Sequence, residues 1–345
     1  EMLRSLVGSE MCIRDRETNA VQTLKLIVRE IRQESPLIRS LRLAREDGGA
    51  LPAFGPGAHL KVSVPGLREA RCYSLVQLAP EAGRFAEPAE YRLGVRLEEA
   101  SQGGSRHMHG LAVGDTLTVE GPRNDFPLHE SPAGDEPVVL IAGGIGITPV
   151  ASMAAALKSA GRAFRLHYSG RSRDQLAFLP ELQALAGDAL ALHADDEPSC
   201  RFDLQALLDA ANPRQHLYVC GPKGLIDVVI QGARARHWPD AHIHFELFAS
   251  AAPQAGDQPF EVELRQSGRV LTIPADKTIV DVMEEEGCDP MFDCKRGECG
   301  VCQATVLEGE PDHRDYYLSD TEKASGKIIQ ICISRAKSAR LVLDL

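Results

Sequence analysis

Three hydrophobic rhythms follow one another along the 345-residue chain. From about residue 20 to 127, short runs of β-branched and apolar residues alternate with polar ones and stop at Gly and Pro. The runs at 22–29, 38–43, 59–64, 71–76, 91–97 and 116–120 have the two-residue period of half-buried strands, and their spacing predicts a small antiparallel β-barrel. At Pro137 the rhythm changes. Apolar strands at 138–142, 164–168, 189–193 and 216–220 are separated by helical patterns at 151–157, 180–185, 204–210 and 225–235, an alternation that predicts an α/β domain with a parallel sheet over 128–248. Residues 249–258 are small, polar and Pro/Gly-containing, and read as a linker. In 259–345 a hairpin at 260–266 and 270–273 precedes a helix opened by Thr278 and Asp281 at capping-box spacing and closed by Gly287.

Composition narrows the class. With 43% hydrophobic and 25% charged residues the chain can bury several cores. Its net charge of -11 argues against nucleic acid or an anionic membrane as partner. Residues 257–345 carry 18 acidic and 11 basic side chains, a net of −7, as suits a module that docks on a basic patch. No apolar run approaches the ~20 residues that span a bilayer. Residues 1–17 lack the apolar core of a signal peptide, resemble translated sequencing adapter, and are read as a non-native leader. A cytoplasmic, reducing location follows as the expectation, and clustered cysteines there mean metal or redox chemistry rather than disulfides.

The cysteines are clustered. Cys294-Lys-Arg-Gly-Glu-Cys299-Gly-Val-Cys302, with Cys332 further on, has the C-x4-C-x2-C…C spacing of plant-type [2Fe–2S] sites. Gly297 and Gly300 allow the sharp turns that let three thiolates wrap one small cluster. Structural zinc is the rival, although it normally shows two C-x2-C pairs and only one is present here. Cys288 falls outside the pattern and reads as a small core residue.

With this motif the span from about residue 20 to 345 resembles the phthalate dioxygenase reductase family, including the reductases of vanillate O-demethylases. The resemblance implies an FMN-binding barrel, a nicotinamide domain and a C-terminal β-grasp ferredoxin, in that order.

Two motifs bear on the flavin. Arg71-Cys72-Tyr73-Ser74 matches the R-x-Y-S strand of ferredoxin-reductase-like barrels, and Ser101-Gln-Gly103-Gly104-Ser105 is a small-residue turn. Gly103, Gly104 and Ser105 can present N–H and O–H donors to a phosphate that Arg71 neutralises. Tyr73 offers a flat face and Ser74 a hydroxyl to the flavin ring. The resemblance adds backbone contacts from Val95 and Arg96, and selects FMN over FAD. His59 reads as a satisfied barrel histidine, and His107 and His109 as locally hydrogen-bonded.

Gly143, Gly144, Gly146, Thr148 and Pro149 follow a strand and open a helix, the context in which a Gly-rich run means a dinucleotide. Cys220-Gly221-Pro222 ends a later strand, and the resemblance places Cys220 beside the nicotinamide ring. Glu246 and Phe248 match the segment that closes the domain, near the flavin–nicotinamide stack. Arg171, with Arg173, Ser169 and Ser172, lies where a 2′-phosphate would sit. NADH is the expected donor, with NADPH the alternative.

A nicotinamide gives up two electrons together and a [2Fe–2S] cluster takes one, so a flavin between them explains why the three modules share a chain. Ser74, Cys220 and Glu246 are the expected catalytic residues. The resemblance makes the partner a terminal Rieske non-haem iron oxygenase acting on an aromatic substrate, served by a monomeric reductase. A di-iron or haem monooxygenase as acceptor, reverse electron flow, and a redox sensor without turnover are the alternatives. His313 and its charged neighbours Asp312, Arg314 and Asp315 read as a solvated loop.

Overall fold

The computed structural model describes residues 22–67, 69–79, 83–99, 101, 103–129, 137–248, 254 and 256–345. The expected leader at 1–17 lies outside the described residues, as do positions 249–253 and 255 of the expected linker. The sequence folds into three main sheets.

The first sheet is antiparallel. It comprises β1 (Thr23–Ser35), β2 (Ile38–Ala44), β3 (His59–Val62), β4 (Arg71–Ser74), β5 (Tyr91–Arg96) and β6 (Thr116–Arg123), in the order β4-β3-β6-β1-β2-β5. Leu24, Leu26 and Val28 alternate inward along β1, as the two-residue period requires. The sheet curls until its edges meet at a single Leu75–Leu93 bridge. The 101–105 turn is tighter than the sequence suggests, because Gly104–Gly110 is helical.

The second sheet is parallel: β7 (Val138–Gly143), β8 (Phe164–Gly170), β9 (Leu190–Ala194), β10 (Leu217–Cys220) and β11 (Ile243–Glu246), in the order β11-β10-β7-β8-β9. The chain leaves β7 toward β8 on one side and returns to β10 on the other, so the strand order reverses between β7 and β10. Ligands of open α/β sheets bind at the carboxyl ends of strands at such a switch point. The helix Ile147–Ser159 begins four residues before the apolar pattern suggests, because Thr148 and Pro149 already lie in its first turn.

The third unit is α+β. It contains β12 (Phe260–Leu264), β13 (Arg269–Ile273), β14 (Gln303–Glu308), β15 (Pro311–Asp312), β16 (Ile328–Gln330), β17 (Arg335–Ala336) and β18 (Arg340–Leu343). Its sheet runs β13-β12-β18-β14-β16, with β12 and β18 parallel. The helix Ile279–Glu285 carries the expected Thr278–Asp281 capping box.

The loop after Gly309 is not solvated. Asp315 is buried, the His313 side chain is 10% exposed, and the Arg314 guanidinium bonds Asp257 at 2.6 and 3.0 Å. Ion pairing at this spacing lets a charged stretch pack inside, and alternating charges in a sequence do not reveal it.

Apolar cores divide the molecule unequally. The core under the helix Ile147–Ser159 includes Ile38, Val76 and Phe126 of the first unit, so the first two units share it. Among the described residues, the core of the third unit draws only on residues from Phe260 onward.

Candidate functional site

The two flavin motifs meet in space. A β-carbon on Gly104 would come 2.9 Å from Arg71 Cγ and 3.3 Å from Tyr73 Oη, so the absence of a side chain there lets the 103–105 segment lie directly on β4. Gly103 has φ 110°, a conformation only glycine adopts easily. Arg71 Nη1 donates to the Glu69 carbonyl at 3.2 Å, Ser74 is buried, and the Ser105 hydroxyl accepts from Glu98 N–H at 3.1 Å. The Val95 carbonyl is engaged by His109 Nε2 at 2.9 Å, which gives His109 the local role read from the sequence.

His59, opposite Ser74 on β3, departs from expectation. It is buried, yet neither ring nitrogen has a hydrogen-bond partner among the described residues, and Asp125 lies 3.9 Å away. Burial lowers its pKa to about 4 and keeps the ring neutral.

The nucleotide loop sits at the switch point. A β-carbon on Gly143 would meet Leu225 and Pro222 at 2.7 and 2.8 Å, and Gly221 packs on Gly143. These two glycines therefore serve the contact between the β7 and β10 loops, while Gly144, at φ 54° with open space around it, is free to receive a ligand's backbone approach. Thr148 is buried, donates to the Ile145 carbonyl at 3.0 Å, and lies under Gly94 of β5. Ser152 bonds the Leu75 carbonyl at 2.6 Å and the Gln77 N–H at 2.8 Å, which pins the nucleotide helix to the end of β4.

Among the side chains expected to meet a 2′-phosphate, Arg173 is held by Glu197 at 2.7 Å, Ser172 by Asp174, and Ser169 by the Ala142 carbonyl at 3.2 Å. The Arg171 side chain is exposed and has no ion pair among the described residues, two positions beyond Ser169, the register partner of Gly143.

Cys220 and Glu246 are register partners on β10 and β11, both buried. Burial raises the Cys220 thiol pKa, helped by Glu246 and Glu298. Burial likewise raises Glu246 to about 8, partly opposed by Arg296, and leaves Glu246 Oε2 without a partner among the described residues. Both groups are neutral at pH 7. Phe248 is exposed at the margin.

The four cysteines come together as two couples. The Cys294 and Cys299 thiols act directly on each other's ionisation, and so do those of Cys302 and Cys332. No three of these sulfurs lie within 4.8 Å of one another, since the single such group among the described residues is Glu69, Asp281 and Glu284. Tetrahedral zinc would draw all four sulfurs to within about 4 Å. Two separated couples instead fit two irons, each with two thiolates. Arg296 N–H donates to Cys294 Sγ at 3.3 Å, and the N–H groups of Val301 and Gly297 serve Cys299 and Cys332. A β-carbon on Gly300 would strike the Tyr317 ring at 2.3 Å, so this turn is closed to other residues. Cys288 packs against the core beside Arg269, as expected.

One cleft of about 230 Å³ joins the three units. Its walls include Asp125–Pro127 at the barrel exit, Phe245 and Glu246 of β11, and Cys294, Arg296 and Cys299 of the cysteine loop. Glu298 accepts from Leu247 N–H at 2.6 Å across the same junction. Arg296 and Glu298 pair with each other at 3.1 Å, and the sequence did not reveal them because Glu246 and Leu247, which they meet across the junction, lie some fifty residues away.

A flavin-type barrel, a dinucleotide switch point and a two-couple cysteine loop define a modular pyridine-nucleotide iron–sulfur oxidoreductase. The 2Fe-2S iron-sulfur cluster binding domain model matches residues 262–337, and the oxidoreductase NAD-binding domain model matches 140–231. The vanillate O-demethylase oxidoreductase of a Pseudomonas species is 42% identical over 327 residues, covering 93% of this chain and 100% of that protein. A solved phthalate dioxygenase reductase, described as a modular structure for electron transfer from pyridine nucleotides to [2Fe–2S], superposes with TM-score 0.68 at 36% identity, covering 94% of this chain and 98% of that one. An intact self-sufficient cytochrome P450 monooxygenase gives TM-score 0.69 at 35% identity, and this chain spans 41% of its length. The chain belongs to the phthalate dioxygenase reductase family. No helix among the described residues is long and apolar enough to cross a membrane.

Proposed function

We propose that this chain takes electrons from NADH onto FMN and delivers them singly, through a [2Fe–2S] cluster, to a terminal Rieske oxygenase acting on an aromatic substrate. The observation that carries the reading is the shared cleft, in which Cys294 and Cys299 line the same space as Glu246 and the barrel exit. FMN and the cluster, when bound, supply the conversion of one two-electron donation into two one-electron deliveries.

The chain's own residues bind, orient and exclude water. Arg71 and the N–H groups of 103–105 would hold the flavin phosphate, and Tyr73 and Ser74 would set the ring. Gly144 would leave room for the pyrophosphate, and Arg171 would meet the adenine ribose. Cys220 and Glu246 floor the nicotinamide pocket as neutral groups, and the Glu246 carboxyl keeps its proton at pH 7. Cys294 with Cys299, and Cys302 with Cys332, would each hold one iron. The N–H groups of Arg296, Gly297 and Val301 soften the negative charge on the sulfurs.

The relatives named for vanillate O-demethylation support the acceptor class. The likeness to a self-sufficient P450 supports a haem monooxygenase as a second reading. NADH-driven product formation with each purified acceptor separates the two. For the internal chain, NADH is added to flavin-loaded and flavin-stripped protein, and cluster reduction is expected only in the first.

A further inference from the structure

We propose that Asp293 and Lys295, the residues on either side of Cys294, clamp the cluster domain to the flavin barrel. The inference rests on the internal electron chain proposed above. Lys295 Nζ lies 2.5 Å from Glu69 in the β3–β4 turn of the barrel, and 2.7 and 3.3 Å from Glu284 and Asp281 of its own unit. Asp293 lies 3.6 Å from both Lys61 on β3 and Arg123 at the end of β6. The two arms have opposite polarity. A shift of the cluster loop by two residues would set Lys295 against Lys61 and Arg123, so the pattern selects one register.

Three further features point to a clamp rather than to incidental surface pairing. Lys295 sits at φ 51°, a conformation a side-chain-bearing residue keeps only when its surroundings hold it. Glu69 belongs to the turn whose carbonyl also receives Arg71, so the clamp and the flavin-phosphate residue share one anchor. Finally, among the described residues the cluster unit's apolar core takes nothing from the barrel. Tyr316, which reaches Lys223 and Asp227 at 2.5 Å, secures the unit to the nucleotide domain, and against the barrel the charged pairs decide the fit. All of these charges keep some contact with solvent, with side-chain exposures from 14% at Lys295 to 53% at Glu69, so salt screens them.

The test uses the full chain loaded with flavin and cluster, and reads two quantities. Small-angle scattering gives its maximum dimension. Stopped-flow absorbance gives the rate at which one electron passes from the NADH-reduced flavin to the oxidised cluster. Lys61→Glu with Arg123→Glu is expected to lengthen the molecule and slow cluster reduction about tenfold, with flavin reduction by NADH unchanged. Asp293→Lys alone should do the same with the cluster spectrum intact, and the triple charge swap should restore both readings. Raising ionic strength from about 0.01 to 1 M, where the screening length falls from ~30 to ~3 Å, should loosen the wild type. A charge-reversed barrel that stays as compact and as fast as wild type, or a triple swap that recovers nothing, overturns the clamp. A wild type in which NADH reduces neither flavin nor cluster overturns the electron chain instead, and the scattering still decides the clamp.

Discussion

Gly146 stands so close to Cys220 that a β-carbon on it would come 2.1 Å from the Cys220 carbonyl oxygen. The two halves of the proposed nicotinamide site, one at the end of β7 and one at the end of β10, are therefore held together by the absence of a side chain. Gly146→Ala must push the loops apart. It is expected to raise KM for NADH at least about tenfold while the flavin and cluster spectra persist. Steady-state kinetics with parallel spectra check this.

Arg92 ties the barrel to the nucleotide domain. Its guanidinium meets Glu34 at 2.8 Å and Glu181 at 2.9 Å, and lies 4.7 Å from the centre of the Phe178 ring. The Glu34 carboxylate is 2% exposed, and without the arginine it keeps only the Ser40 hydroxyl at 2.5 Å and Arg32 at 3.8 Å. Arg92→Ala is expected to destabilise the interface by about 1.5–3 kcal/mol, seen as flavin release at lower urea than in wild type.

Glu246 gives a pH signature. Its folded pKa, about 8, lies above the ordinary 4.5, so between these values the folded chain holds a proton that the unfolded chain has lost. The neutral carboxyl's stability is fully present below the unfolded value and is lost as pH rises through about 8. The slope of this contribution is at most about 1.4 kcal/mol per pH unit. Glu246→Gln should flatten the decline, gaining on wild type at pH 8–9 and matching it near pH 4. Thermal melts across this range show whether it does.

Glu197 restrains Arg173 where a 2′-phosphate would otherwise find a partner. Glu197→Gln frees that guanidinium beside Arg171, and KM for NADPH is expected to fall severalfold while KM for NADH changes little. Paired titrations of the two nucleotides measure the difference.

Much of this molecule was legible in its sequence, for physical reasons that differ by region. The period of two along 23–28 and the apolar blocks at 138–142 and 216–220 report burial directly, so barrel and parallel sheet could be read off. Three of the four cluster cysteines lie on one loop, where spacing is geometry. What stayed hidden was pairing at a distance. Nothing near Asp293 or Lys295 announces Lys61, Arg123 or Glu69, and nothing near Gly94 announces that Thr148 packs on it. His59 looked like an ordinary core histidine, yet its ring nitrogens face the junction without partners among the described residues. The helix Gly104–Gly110 was missed because its opening Gly-Ser composition is that of a turn.

One chain links NADH, flavin and cluster. Anaerobic titration of the purified protein with NADH, followed by absorbance and by the electron spin resonance of the cluster, tests it most directly. A flavin that accepts two electrons and a cluster that accepts one predict that both bleach together, with complete reduction at roughly 1.5 NADH per chain. Flavin bleaching that stops at about one NADH with the cluster still oxidised would contradict the account.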